Sequence, residues 1–402
     1  MGELVKDIVI IANFCRDFSE TDNGRFMYLC KELSKEHKVE IITSDFRHTA
    51  KIHKEPLIHN WPFKITFLHE PGYRRNISVQ RFRSHMAWGR EVANYLKKRK
   101  KPDVIYCAVP SLTGPFAAAK YCEANNIRFI IDIQDLWPEA FSMVFHFPLV
   151  SELIYAPIKY IANGIYRRAD VICGVSQGYV DRALLVNKKC KSCHAVFLGT
   201  DLDTYDRYAN TSAPVIYKNR EDELWMGYCG SLSASYDIPC VISALEILNN
   251  KKIAVPKFVI MGDGNKRAQF EELAKKAGVD AVFLGKLPYD QMCSQLAQCD
   301  IVINPIVKGS AASIINKHGD YASAGLPVLN TQESPEYRNL VEDYNMGINC
   351  EPGNAGSIAR GLAQLIDNAG IRKQMGLKAR QCAEERFNRR NSYKELIDCI
   401  VS

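Results

Sequence analysis

Three glycine-bearing segments stand where a chain could hold phosphate. Asn23-Gly24 opens a helical stretch, and Gly227-Tyr-Cys-Gly230-Ser231 runs through Tyr236 to a helix start near Pro239. Met261-Gly262-Asp-Gly264-Asn-Lys266 follows the next apolar run. A helix N-terminus offers unpaired amides and partial positive charge, and glycine and serine let an oxyanion come close to the backbone. Each loop alone could be a plain turn; two in succession strengthen a nucleotide reading. Further on, Lys308-Gly309-Ser310 precedes Asn316-Lys317-His-Gly-Asp320-Tyr321, which sets an ammonium and a carboxylate one helical turn apart. By spacing alone, Lys317 and Asp320 could equally be a surface i,i+3 pair. Gln134-Asp135-Leu-Trp137-Pro138-Glu139 carries two carboxylates, a residue type able to orient a hydroxyl or take its proton. The same residues could be a packed corner with Asp135 capping a helix.

Cys190-Lys-Ser-Cys193-His194 matches the spacing of a haem attachment. Covalent haem requires export, and Met1-Gly-Glu3-Leu-Val-Lys6-Asp7 has neither the basic region nor the cleavage site of a signal peptide. Cys190 is expected just after a helix and Cys193 just before a strand at 195–198, so no metal or haem is expected. The 14 cysteines are scattered singly, many in apolar runs, as free thiols of a reducing cytoplasm would be. No window nears 18 uninterrupted apolar residues, so no transmembrane helix is expected and the chain is placed in the cytoplasm.

The elements that must position these groups follow from hydrophobic patterning. Apolar β-branched runs at 7–14, 39–43, 104–108, 128–133 and 171–175 alternate with helix-period stretches, which reads as a parallel sheet covered on both faces. A polar stretch over 205–222 interrupts the pattern. Strands are then expected at 225–229, 257–261, 281–284, 301–304 and 327–330, and residues 371–401 are expected to be helical. With 402 residues, this predicts an α/β chain of two doubly wound, Rossmann-like domains facing across a cleft. Domain limits are expected at 1–204 and 205–380, with 381–402 returning to the first domain. Ligands of open parallel sheets bind at the carboxyl ends of the strands, where the glycine loops fall.

Asp320-Tyr321-Ala-Ser-Ala-Gly325-Leu-Pro327-Val328 resembles the donor-binding segment of glycosyltransferase family 4, a retaining family with the two-domain GT-B fold. Asp135-Leu-Trp137-Pro138-Glu139 is similar to a loop of its bacterial surface-polysaccharide branch. Val175-Ser176-Gln177 and Leu198-Gly199-Thr200-Asp201 resemble family positions more loosely. The resemblance implies a hexosyl- or N-acetylhexosaminyl-transferase that takes a sugar from a UDP or GDP donor, with no other cofactor. It implies that Asp320 binds the ribose diol, a carboxylate accepting two donors at once. Tyr321 and Asn316 would line that site, and Lys317 would face the donor phosphates. Asp135 and Glu139 would meet an acceptor saccharide, lipid-linked in related proteins. Two departures stand out. Ala312 replaces the family's first glutamate, and Ser231 and Tyr236 stand where it often has arginine and lysine. Lys317, Lys308, Lys266 or Lys286 must then supply the cation. A nucleotide-sugar epimerase on the same plan, or a binding protein without turnover, would use the same donor residues.

Between Tyr73 and Lys101 there are ten Lys/Arg and one acid, so this segment carries +9 of the chain's net +7. Val79, Phe82, Met86, Ala93 and Leu96 fall on one helical stripe, with Arg81, Arg83, Arg90 and 97–101 outside it and Trp88 and Tyr95 adding aromatic bulk. Such a helix could lie on an anionic leaflet at the inner face of a membrane, or pack its stripe on the sheet. No nucleic-acid module is apparent.

Overall fold

Because βαβ crossovers cover both faces of a parallel sheet, its central strands read as nearly continuous apolar runs. The run Ile8 to Ala12 is accordingly buried almost completely. The computed structural model describes all residues except 1–3, 17, 20–23, 55–59, 77, 140–150, 191 and 311–312, together with the side chains of 151–154. It divides into two units, Met1–Phe197 with Tyr393–Ser402, and Leu198–Ser392.

The first unit is built on strands β1 (Asp7–Ile11), β2 (Lys38–Ser44), β5 (Lys64–Leu68), β6 (Val104–Val109), β7 (Arg128–Ile133), β8 (Val171–Gly174) and β9 (Ser192–Ala195). They form one sheet in the order β5-β2-β1-β6-β7-β8-β9, and all its pairs are parallel. Strands β3 (Phe46–Arg47) and β4 (Ile52–His53) make a small antiparallel hairpin. Helices α1 (Arg25–Leu33), α2 (Val79–Lys98), α3 (Thr113–Asn125), α4 (Ser151–Arg168) and α5 (Gln177–Leu184) cover it. Strand β5 escapes the sequence pattern because Lys64 and Thr66 alternate with its apolar residues. Strand β9 begins earlier than the expected 195–198. In β9, Cys193 and His194 point to opposite faces by strand alternation. His194 is bonded to Glu395 and Ser192, so the haem-like spacing brings no ligand set together.

One buried knot ties this unit together. Arg25, at the first position of α1, sends its guanidinium inward to the Asp132 carboxylate on β7 at 2.9 Å. It also donates to the carbonyls of Val196 and Phe197 and to the Tyr393 hydroxyl. Arg25 is 4% exposed and Asp132 fully buried. Removing one partner of such a pair strands the other charge. Asp132→Asn is therefore expected to cost about 3–5 kcal/mol, read as a lower urea midpoint, while the paired change Arg25→Met with Asp132→Leu recovers most of it.

Helix α2 corrects the expected stripe. Its buried residues are Ser84, His85, Trp88, Gly89, Val92 and Leu96. Val79, Phe82 and Met86 are instead exposed, at 68, 53 and 45%. Leu96 and Trp88 face inward, and Arg99 leaves the basic run to pair with Asp7 and Glu40.

The second unit repeats the plan with β10 (Trp225–Cys229), β11 (Lys257–Met261), β12 (Ala281–Gly285), β13 (Ile301–Asn304), β14 (Val328–Asn330) and β15 (Gly347–Asn349), in the order β12-β11-β10-β13-β14-β15. Its helices are α6 (Leu202–Thr211), α7 (Ile238–Asn250), α8 (Arg267–Lys276), α9 (Tyr289–Leu296), α10 (Asn316–Ser323), α11 (Pro335–Asp343), α12 (Ala355–Asp367) and α13 (Ala369–Cys382). A π turn (Ala383–Phe387) and α14 (Arg389–Ser392) follow. The boundary falls at Phe197/Leu198 instead of after residue 204. The polar surface of α6 hides an inward side, Leu202 and Tyr205, that belongs to this unit's core. At the far end, 381–392 stay with the second unit, and only the last helix, α15 (Lys394–Val401), joins the first through Leu396, Cys399 and Ile400.

Candidate active site

In the second unit the loop after β10 is shaped by backbone contact. Gly230 has φ +149°, a conformation that L side chains rarely adopt, and a Cβ there would lie 2.9 Å from the Lys317 ammonium. A Cβ on Gly262 would sit 1.8 Å from the Gly230 carbonyl oxygen. The two loops are laced by hydrogen bonds from the Gly230 amide to the Met261 carbonyl and from the Leu232 amide to the Asp263 carbonyl, 3.0 and 2.9 Å. The second glycine loop thus has its own reason for glycine, which is to brace the first. Lys266 caps α8 and donates to Gln269 at 3.0 Å. Ser231, Lys308 and Lys286 are exposed.

Lys317 behaves differently from these surface lysines. Its side chain is buried, and among the described residues its ammonium has no hydrogen-bond partner. The nitrogen lies 3.9 Å from the ring centre of Tyr236 and 4.3 Å from that of Tyr228. Tyr228 is fixed by donation to the Ser231 carbonyl at 2.8 Å and by an edge contact with Tyr236. Burial pushes the ammonium down to about 7, with Cys229 opposing. A desolvated cation on two aromatic faces is partly compensated by them, yet among the described residues it has no hydrogen-bond acceptor.

One turn on, Asp320 is half-buried and accepts from the Tyr289 hydroxyl on α9 at 2.9 Å and from the Thr200 hydroxyl at 3.3 Å. Asn316 is exposed at the start of α10. Tyr321 lies deeper than the donor-lining position expected of it. It is 1% exposed, accepts from the Cys229 amide at 2.9 Å and donates to the Ile303 carbonyl at 3.1 Å, so its hydroxyl pins β10 to β13. Helix α10 is further held by His318, stacked on Tyr337 at 3.5 Å. Beside it Asn304, Asn330 and Asn349 form a ladder across the ends of β13, β14 and β15, with links of 2.9 and 2.8 Å. Sequence reasoning held Thr200 only within a loose family resemblance and missed Tyr289 and this ladder. An asparagine at each strand end was the available signal.

In the first unit Gly24 is the N-cap of α1, in extended conformation. Asn23 lies outside the described residues, as does Ala312. Asp135 accepts from the Leu136 amide at 2.9 Å and the Trp137 indole at 3.1 Å, and burial raises its carboxyl above the ordinary range. Glu139 is ion-paired with Arg182 on α5. The two carboxylates therefore differ. Asp135 is positioned by neutral donors, whereas Glu139 is engaged by a cation.

Comparison with known proteins assigns both halves. A model described as "Glycosyltransferase Family 4" matches residues 25–203, and one described as "Glycosyl transferases group 1" matches residues 211–382. The N-acetyl-alpha-D-glucosaminyl L-malate synthase of Bacillus anthracis is 22% identical over 224 residues, 55% of this chain and 56% of that protein. The chain spans 62% and 45% of the length of two other curated relatives it matches. Among solved structures, Anabaena HepE in complex with UDP aligns over 98% of this chain and 99% of its own, with a TM-score of 0.69 at 14% identity. WaaG, described as a glycosyltransferase involved in lipopolysaccharide biosynthesis, aligns over 98% and 99%, with a TM-score of 0.66 at 15% identity. At such identities these structures speak for the fold, two Rossmann-like domains of GT-B type. With one matching model on each half, broken only between residues 203 and 211, the chain belongs to the group 1, family 4 glycosyltransferases.

Proposed function

We propose that the protein is a retaining glycosyltransferase that moves a hexosyl or N-acetylhexosaminyl group from a UDP-type donor to a saccharide acceptor. We place it in surface-polysaccharide synthesis, with the acceptor lipid-linked. The observation that carries this reading is the unpartnered Lys317 ammonium beside the Gly230 loop, one turn from Asp320. A diphosphate would supply the missing acceptor for that cation, and a ribose the diol for the carboxylate. HepE's complex with UDP favours uracil as the base, and WaaG's role in lipopolysaccharide biosynthesis favours the acceptor class. In this reading the acceptor hydroxyl bonds to the anomeric carbon from the face the nucleotide leaves. The C–O bond to the diphosphate breaks, and a departing phosphate oxygen takes the hydroxyl proton. Lys317 and the loop amides neutralise the developing charge. Gly24 at the start of α1 is a further amide donor, and Asp135 orients the acceptor.

A thermal-shift panel of UDP, GDP, ADP and the matching sugars tests the donor half. UDP is expected to raise the midpoint most, and labelled sugar is expected to leave the donor only when acceptor is added. Interconversion of the free nucleotide sugar would point to an epimerase, and binding without turnover to a non-catalytic protein; either overturns the proposal.

The exposed Val79, Phe82 and Met86, beside Arg83, Arg90 and Lys97, support peripheral attachment through α2. Among the described residues no helix is long and apolar enough to cross a membrane. Each lysine near an anionic surface contributes about 1 kcal/mol, so reversing Lys97, Lys98, Lys100 and Lys101 to glutamate should weaken binding to anionic vesicles by at least about a hundredfold at low salt. Equal sedimentation of wild type and variant would remove the membrane from the proposal.

A further inference from the structure

At the carboxyl ends of the first unit's strands, cations and aromatic rings from several segments meet in a way the transfer chemistry does not use. Arg81, in the first turn of α2, turns away from the solvated charges around it. Its guanidinium lies over the rings of Trp137, Tyr73 and Phe14, at 4.7, 5.5 and 6.0 Å. Lys51, from the turn of the β3–β4 hairpin, approaches the same Tyr73 ring at 4.6 Å and lies 3.3 Å from His48 Nδ1. His85 stacks on Trp137 at 5.9 Å. The carboxylates nearby are already occupied by neutral donors. Glu70 accepts from Asn13, Ser44 and Ser84 at 2.6–2.9 Å, and Asp135 from Trp137 and an amide. Among the described residues neither Arg81 nor Lys51 forms an ion pair. Arg81 Nη1 donates to the Asn76 carbonyl at 2.9 Å and Lys51 to Asn76 Oδ1, His85 Nε2 lies 3.8 Å from Glu70 Oε1, and among the described residues Arg81 Nε is buried without a hydrogen-bond partner.

The cations act on the basic groups around them, while Glu70 acts on Lys51, and Glu70 and Asp135 on Arg81, in the opposite sense. Burial, then the charge of Arg81, lowers Lys51 to about 8. Burial, then Lys51 and Arg81, lowers His48 to about 4, and burial with Arg81 foremost lowers His85 to about 3. Basic groups that depress one another around a buried guanidinium N–H without an acceptor form a place for an anion. Guanidinium suits the planar, two-oxygen face of a carboxylate or phosphate.

We infer that this cluster is a subsite for an anionic group on the acceptor, a carboxylate or a phosphate held by Arg81 and Lys51 beside Phe14 and Trp137. The inference rests on the reading of the first unit as the acceptor half and names the acceptor's charge class.

The test uses the full chain with saturating UDP and three soluble probes, D-glucuronate, D-glucose 6-phosphate and D-glucose, in calorimetric titrations. The charged sugars are expected to bind at least about tenfold tighter than glucose, the size of one charged hydrogen bond, and the tighter of the two identifies carboxylate or phosphate as the source. Arg81→Gln and Lys51→Gln should each erase most of that preference, whereas a change at the exposed Lys38, Lys38→Gln, keeps it. Arg81→Lys, which retains the charge, should keep part of it. If Arg81→Gln does not fold by circular dichroism, Lys51→Gln and Arg81→Lys carry the comparison. Equal binding of the three sugars, or a preference that survives in Lys51→Gln and Arg81→Gln alike, overturns the inference. The two readings fail separately. UDP binding without charge preference defeats only the anion subsite, while a charge preference in a chain that ignores UDP defeats the donor assignment and leaves the subsite standing.

Discussion

Asp320→Ala is expected to remove most of the stabilisation that UDP confers while leaving the apoprotein folded. A hydrogen bond to a charged group contributes about 1.5–3 kcal/mol, so a carboxylate accepting both ribose hydroxyls accounts for roughly 3 kcal/mol or more. That is about a hundredfold in Kd. With UDP at about 100 times its dissociation constant, wild type gains about 2.7 kcal/mol, and the variant should gain less than about 0.5 kcal/mol at the same concentration. The loss of stability without ligand should be small, because Asp320 is half-buried and the hydroxyls of Tyr289 and Thr200 lose only an acceptor. Tyr289→Phe separates position from charge. It keeps the carboxylate but removes the 2.9 Å bond that orients it, and about a tenfold loss of affinity is expected. Calorimetric titration of UDP into the three proteins gives the order wild type, Tyr289→Phe, Asp320→Ala from tightest to weakest. An Asp320→Ala protein that binds UDP as wild type does would end the ribose assignment.

How far this site was legible follows from which residues leave a local trace. Strands β10, β11 and β13 stand where the apolar runs put them, because a strand buried on both faces is apolar along its interior. Strand β5, at the sheet edge, alternates polar and apolar residues, and β15, Gly-Ile-Asn, holds a single large apolar residue, so neither stood out. The motif from Asp320 to Val328 pointed to a candidate donor segment, since the glycine and proline that close the helix and open the next strand are local in sequence. What Lys317 touches was not legible. Tyr228 and Tyr236 come from another strand and loop 80 to 90 positions earlier, and only the fold brings their rings under the ammonium. The same holds for Arg81. In the sequence it is one basic residue among ten, and helix phase alone turns it inward while Arg83 and Arg90 face solvent. Tyr321 shows the opposite error. A motif residue next to a candidate carboxylate invites a functional role, yet helix rotation carries it about 100° to the buried side.

Lys317→Met should make the empty protein more stable and the enzyme nearly inactive. The sign follows from proton counts. In the unfolded chain the ammonium has its ordinary value of 10.5, and in the folded chain burial lowers it to about 7. Between these values the unfolded chain holds one more proton than the folded one, so this group's contribution to stability rises with pH. At pH 7 and below the folded protein carries nearly the whole cost of an enclosed cation, a few kcal/mol even with the tyrosine faces offsetting part of it. Methionine fills a similar volume without charge. The variant's urea midpoint should therefore exceed wild type's near neutrality, and the gap should close towards pH 10. Donor binding should move the other way. A diphosphate against the ammonium favours the protonated form, so above pH 7 wild type must take up a proton to bind UDP. Its Kd should then rise towards a limiting slope of about tenfold per pH unit. Lys317→Met should bind UDP at least about tenfold more weakly at pH 7, show no such slope, and lose roughly a hundredfold or more in kcat, because the charge on the leaving diphosphate peaks in the transition state. Parallel pH profiles for the two proteins, or a variant that unfolds earlier than wild type at pH 7, would mean that the ammonium is a structural contact of the tyrosine pair and that the phosphate site lies elsewhere.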